Sequence, residues 1–254
     1  MCIRDRSFWW DSLSRRALED GTIVRLRDED GMRGITSNPS IFQQAFAAGA
    51  DYDAAIAELA AAGMKVEEIF WTLAVRDIQD ACGLLAPVYE SSEGADGFVS
   101  LEVDPRLAHD TDGTLEAVEK LWTWVDRPNL MIKIPATAAG VPAIRKALAD
   151  GRNVNVTLLF HQDAHLAVME AYLAALEERR KKGLAVDRIA SVASFFVSRL
   201  DSLVDEELEA VGTPAALALR GEAAVANAKL AYRNFERLFA GPRWEALEQA
   251  GARV

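Results

Sequence analysis

Cysteine, histidine and long apolar runs are all scarce in this sequence, and each shortage closes off a class of function. The two cysteines, Cys2 and Cys82, stand far apart and form no Cys-x-x-Cys, so no disulfide framework is expected. There are three histidines, His109, His161 and His165. The last two are spaced i, i+4 and could share a helix face suited to a metal. No Glu or third ligand follows in a zincin pattern, so both are expected to be surface helix residues and not metal ligands. No run of about eighteen apolar residues occurs, so no membrane span is expected. Positive charge is also in short supply, 28 Lys and Arg against 39 Asp and Glu for a net charge of −11. That balance argues against a nucleic-acid or anionic-membrane surface. It leaves a small anionic substrate open, because one buried Lys or Arg can dominate a local field.

What remains is a chain of 254 residues, 50% hydrophobic and 26% charged, an ordinary globular composition at a length that α/β barrels reach as one domain. Residues 1–6 contain Arg4, Asp5 and Arg6 with no apolar run behind them. They do not form a signal peptide, and we read them as a non-native scar preceding one domain over 7–254. A cytoplasmic protein is the default expectation.

From residue 7 onward, short apolar runs alternate with helical patterns. Strands are expected at 7–11, 32–36, 97–103, 130–137, 153–160 and 188–196. Ser12 or Ser14 caps a first helix, and Ser40 is a candidate cap after the Asn38-Pro39 turn. Helices are expected at 22–30, 41–48, 52–62, 66–85, 111–125, 138–150, 162–182, 198–211, 214–239 and 244–249. The four cations of 179–182 are read as helix-end electrostatics. The stretch 251–254 reads as a turn entering another strand.

Strands followed by helices imply a parallel sheet with helices outside it. A doubly wound nucleotide fold should show Gly-x-Gly-x-x-Gly or a P-loop, and neither is present. A (β/α)8 TIM barrel collects its reactive groups from the C-terminal ends of several strands. Here Asp11 ends strand one, Asn38 follows strand two and Glu102 ends strand three. Lys133 lies within strand four, Asn155 and Thr157 in strand five, and Ser194 and Arg199 at the end of strand six. The distribution favours the barrel, with about six of its eight strands in this chain.

Lys133 is the most informative residue. Leu130-Met131-Ile132-Lys133-Ile134-Pro135 puts one amine inside an apolar strand. Burial disfavours the ammonium, and a neutral amine is a nucleophile suited to Schiff-base chemistry with a carbonyl. The competing reading is a structural lysine that pairs with a carboxylate or snorkels to water.

Four motifs in order, Thr36-Ser37-Asn38-Pro39-Ser40, Leu101-Glu102-Val103-Asp104, Met131-Ile132-Lys133-Ile134-Pro135-Ala136-Thr137 and Asn155-Val156-Thr157-Leu158-Leu159-Phe160, resemble those of transaldolases. The opening Trp9-Trp10-Asp11-Ser12-Leu13-Ser14-Arg15 is similar to the Trp-x-Asp-x-Leu-Ser-Arg start of a bacterial branch. The resemblance covers 7–254. It implies transfer of a dihydroxyacetone unit from a ketose phosphate (fructose 6-phosphate or sedoheptulose 7-phosphate) to an aldose phosphate, in the pentose phosphate pathway, without a cofactor.

By that resemblance Lys133 forms the imine and Asp11 is the base for carbon–carbon cleavage. Glu102 and Thr157 hold the water of imine formation and hydrolysis. Asn38 and Asn155 hold substrate hydroxyls, Ser194 orients the dihydroxyacetone, Phe196 lies near the lysine, and Arg199 belongs to the phosphate clamp. The family has eight strands, so the chain is expected to be an incomplete barrel with open edges and to be unstable or nearly inactive alone. The rival readings are a class I aldolase acting on fructose 6-phosphate and a catalytically dead sugar-phosphate-binding fragment. A homodimer is left open.

Overall fold

Six short strands appear where alternation and apolar runs place them: β1 (Phe8–Trp10), β2 (Met32–Thr36), β3 (Phe98–Glu102), β4 (Leu130–Pro135), β5 (Val154–Leu159) and β6 (Ser191–Phe195). The computed structural model describes residues 6–254. Most of the segment read as a scar, 1–5, lies outside the described residues. Two compact units divide the chain, the first from residues up to 105 with 116–133, the second from 106–115 with 134–254.

In the first unit β1, β2, β3 and β4 lie side by side in chain order, every pair parallel. The register sets Glu102 opposite Lys133. Every residue of β4 is buried, as expected for a parallel strand covered on both faces. β1 approaches β2 closely because Gly34 has no side chain: a Cβ there would come within 2.4 Å of the Trp9 ring. Five helices belong wholly to this unit: α1 (Arg15–Glu19), α2 (Thr22–Asp28), α3 (Pro39–Ala47), α4 (Asp53–Ala61) and α5 (Val66–Ser91). Tyr52, Ile69 and Leu73 form a satellite core with Phe46, Ile56, Leu59 and Met64 around them.

Ser14 caps α1 by accepting from the Ala17 N–H. The cap of α3 is Asn38 and not Ser40: its side-chain oxygen accepts from the Ile41 N–H at 2.9 Å, with Pro39 in the first turn. Proline needs no N–H partner there, so the helix starts two residues earlier than expected. α5 also runs past residue 85, because Pro87 is accommodated inside it. The carbonyl that Pro87 cannot engage belongs to Gly83, and both residues are exposed, so solvent replaces the lost bond.

The second unit contains β5 and β6, paired parallel. The residue after β4 joins them, the Ala136 N–H donating to the Thr157 carbonyl at 2.9 Å. α6 (Thr111–Val125) begins in this unit. α7 (Gly140–Ala149), α8 (Gln162–Lys181), α9 (Ser198–Val211), α10 (Pro214–Leu217), α11 (Ala223–Leu238) and α12 (Pro242–Glu248) lie within it. α7 and α8 pack against each other, α7 burying Ala143, Ile144, Ala147 and Leu148 and α8 burying Leu173, Ala175 and Leu176. Of the cations ending α8, Arg179 donates to the carbonyls of Ala149 and Ala185, and Lys182 pairs with Glu178 at 2.7 Å. These contacts fit the helix-end reading of the cluster.

Three expectations fail here. The single helix expected over 214–239 breaks into α10 and α11, with Gly221 at a left-handed φ of 74° between them. Residues 251–254 form a turn and an irregular end, not a strand. Gly251 takes a left-handed φ of 95° and Tyr172 Oη donates to the Arg253 carbonyl at 2.6 Å, so a helix holds this stretch. His165 is buried, not on the surface, with its ring edge-on to Phe195. His161 is not on the helix face at all; it is the exposed N-cap of α8, accepting from the Asp163 N–H. Among the described residues no group of three or more His, Cys, Asp or Glu could hold a metal, and no helix is long and apolar enough to cross a membrane.

Candidate active site

Lys133 is 5% exposed. Its Nζ lies 3.6 Å from Glu102 Oε2, 3.4 Å from Thr36 Oγ1 and 3.2 Å from the Ser37 carbonyl oxygen, all within the first unit. The pairing follows from register: opposite residues on adjacent parallel strands put their side chains on the same face, so Glu102 and Lys133 emerge together. Ser37 is fully buried, and its hydroxyl donates to the Ser100 carbonyl at 2.7 Å. That bond ties the β2–α3 corner to β3 and aims the Ser37 carbonyl at the amine. An amine so held has lost nearly all of its water, and it keeps one carboxylate and two neutral acceptors in exchange.

Asn38 follows directly. Its side-chain oxygen is committed to the helix cap, but the amide nitrogen, with two N–H donors, is not part of the cap. Asp11 follows β1 and is exposed. The lysine side of the predicted set is therefore gathered around β2, β3 and β4. Sequence reasoning missed Thr36 and Ser37 as lysine partners. Both stand in the Thr36-Ser37-Asn38-Pro39-Ser40 motif, but only Asn38 carried an expected role.

In the second unit, Asn155 and Thr157 are buried on β5, and the Ser194 hydroxyl on β6 donates to Asn155 Oδ1 at 2.8 Å. Phe196 stacks on Phe160 at 5.1 Å between centroids, and the Arg199 guanidinium sits 4.8 Å over the Phe196 ring, a cation–π contact that leaves the guanidinium fork exposed to solvent. β5 contains a bulge. Val156 pairs with Ala193 and Leu159 with Phe195, three steps on β5 against two on β6. The extra residue is Leu158, at a left-handed φ of 58° and 44% exposed. The bulge gives β5 one apolar face of Val154, Val156 and Leu159, all buried, and a polar face bearing Asn155 and Thr157.

Parallel strands flanked by helices, with a dehydrated amine beside a carboxylate at the strand ends, define a class: α/β proteins equipped for imine chemistry on a carbonyl substrate. The family model described as Transaldolase/Fructose-6-phosphate aldolase matches residues 8–248. The transaldolase of Mycobacterium ulcerans (strain Agy99) is 52% identical over 249 residues, 98% of this chain and 67% of its own length. That of Mycolicibacterium paratuberculosis (strain ATCC BAA-968 / K-10) is 53% identical over 249 residues with the same coverage. The transaldolase of Thermobifida fusca (strain YX) is 51% identical over 245 residues, 96% of this chain and 67% of its own length. The chain belongs to the transaldolase/fructose-6-phosphate aldolase family, and it spans about two thirds of the length of these relatives.

Proposed function

We propose that this protein is a transaldolase that moves a dihydroxyacetone unit between sugar phosphates through an imine on Lys133. The observation that carries the reading is the position of that amine: nearly water-free, in mid-strand, 3.6 Å from Glu102. Lys133 Nζ adds to the ketose carbonyl, and loss of water from the carbinolamine gives the protonated imine. Asp11 accepts the proton of the hydroxyl beyond the bond to be cleaved. The carbon–carbon electron pair moves into the imine as an enamine, and the aldose phosphate departs. The enamine then attacks the aldehyde of the acceptor, Asp11 returns its proton, and hydrolysis frees Lys133. Glu102 and Thr157 handle the water and its protons in the two imine steps. Asn38, Asn155 and Ser194 hold substrate hydroxyls, and Phe196 walls the reacting carbons. Arg199 takes one side of the phosphate, for which a guanidinium fork is suited.

The same reading places the protein in the cytoplasm with small sugar phosphates as its partners. Sedimentation distinguishes a homodimer from a monomer. The chemical test is borohydride reduction in the presence of fructose 6-phosphate, followed by peptide mass analysis. The expected adduct is on Lys133 and is absent in Lys133→Arg, which keeps the charge without the nucleophile. An adduct on another lysine, or none in folded protein, refutes the proposal. Erythrose 4-phosphate separates transferase from aldolase: a transferase turns over only with the acceptor, an aldolase without it.

A further inference from the structure

A second polar cluster in the first unit takes no part in the chemistry above. Asp77, in the middle of α5, is fully buried. Its Oδ1 accepts from Arg15 Nε at 3.2 Å and Nη2 at 2.7 Å, and its Oδ2 accepts from the Tyr52 hydroxyl at 2.6 Å. The same Tyr52 oxygen accepts from the backbone N–H of Arg15 at 2.8 Å. The Arg15 guanidinium also lies 4.5 Å over the Tyr52 ring. The bonds form a closed ring: Arg15 N–H to tyrosine oxygen, tyrosine O–H to one carboxylate oxygen, and the other carboxylate oxygen back to the Arg15 side chain. Arg15 is thereby held at both its main chain and its side chain.

A buried carboxylate, a buried phenol and a guanidinium are a costly combination to desolvate, and ordinary packing of a short helix does not call for one. Burial pushes the Asp77 carboxyl upward, against the Tyr52 and Arg15 hydrogen bonds that pull it down. What the ring gains is position. Arg15 opens α1, and its N–H is among those a helix start leaves without an internal partner. Only Ser12, Leu13 and Ser14 separate it from Asp11. Leu13 is buried and Ser14 is the helix cap, so this connection is clamped along its length. At its other end stands the carboxylate of Asp11.

We infer that the Arg15–Tyr52–Asp77 ring is a positioning device for Asp11, fixing the β1–α1 connection so that the carboxylate stays where carbon–carbon cleavage needs it. The inference rests on the reading of Asp11 as the cleavage base. Tyr52, Asp77 and Arg15 are positioning residues and touch no substrate. A base displaced by about an ångström costs rate, not substrate binding, and Lys133, anchored independently on β4, should still form its imine.

The test compares Tyr52→Phe with Asp11→Asn and with Leu59→Ala, a change in the same satellite core outside the ring. Each variant is scored for unfolding temperature, kcat and KM, and the fraction of Lys133 trapped by borohydride at steady state. Tyr52→Phe keeps the aromatic body and breaks the ring at its shared oxygen. It should lower kcat about tenfold and leave KM within about twofold. The trapped fraction should hold or rise, because imine forms and then waits for cleavage. Leu59→Ala should lose stability and keep kcat. The inference is overturned if Tyr52→Phe keeps full turnover while Asp11→Asn is inactive, if its trapping and turnover fall together, or if Leu59→Ala shows the same kinetic pattern. Full turnover by Asp11→Asn would instead overturn the base assignment itself.

Discussion

Replacing Lys133 by methionine removes the amine while keeping most of the side chain's volume, and the structure bounds what this should cost. At 3.6 Å the attraction to Glu102 is about 5 kcal/mol for an effective dielectric near 20. Against it stands a desolvation penalty of several kcal/mol for each buried ion. The pair is therefore nearly neutral in net stability, yet each partner depends on the other. Lys133→Met removes the amine's contact with the Glu102 carboxylate and its hydrogen bond to the Ser37 carbonyl, a loss of about 2–3 kcal/mol. Glu102→Gln leaves the ammonium buried without its counter-charge and should cost a similar amount, about 2–3 kcal/mol. The double variant removes both charges at once and should lie within about 2 kcal/mol of the parent protein. The expected coupling in the double-mutant cycle is thus at least about 2 kcal/mol, measured by urea unfolding with unchanged slope. Additivity within about 0.5 kcal/mol would refute the coupling, and with it the idea that Glu102 sets the electrostatic environment of the amine.

Two further outcomes concern the scaffold. Gly140→Ala should destabilise by about 2–4 kcal/mol, because its Cβ would stand 2.0 Å from the Pro135 carbonyl oxygen, a backbone atom that cannot step aside. Gly49→Ala, with nothing within 4 Å, serves as the silent control in the same denaturation series. Burial holds the His165 imidazole below its ordinary value of 6.5. The unfolded chain therefore takes up a proton there at a pH where the folded chain does not, and stability falls as pH drops below about 6.5. His165→Phe should flatten that acid limb between pH 7 and 5, and equal loss in both proteins would rule His165 out as its cause.

The alternation of strands and helices and the standing of Lys133 were legible because both are written in side chains: apolar runs with period two or 3.6, and one cation where none belongs. What escaped was carried by the backbone or by competition between neighbours. The Ser37 carbonyl has no letter of its own, so its contact with Lys133 could not be read. Asn38 and Ser40 are both good caps, and Pro39 decided between them by fixing where the helix begins. The helix expected over 66–85 runs on to Ser91 because the one carbonyl that Pro87 leaves without an N–H, at residue 83, is exposed to solvent. His165 shares its spacing with His161, but the spacing does not say that the helix begins between them. The two-fold hydrogen bonding of Asp77 needed three helices to be placed before it could be seen.

The bulge at Leu158 bears on how this strand can change. Because it shifts the parity of β5 between Val156 and Leu159, the strand is in effect two segments joined out of phase. Losing that one residue would shorten the strand by only about 3 Å. It would leave the assignment of every later side chain as it is, because Leu159 would then follow Thr157 directly and meet Phe195 in regular alternation. A substitution at Leu158 must still take up its left-handed φ of 58°, whereas a single-codon deletion there would iron out the bulge and keep Val154, Val156 and Leu159 on one face. In a library of variants, length at this position can vary, while its identity should favour glycine or asparagine.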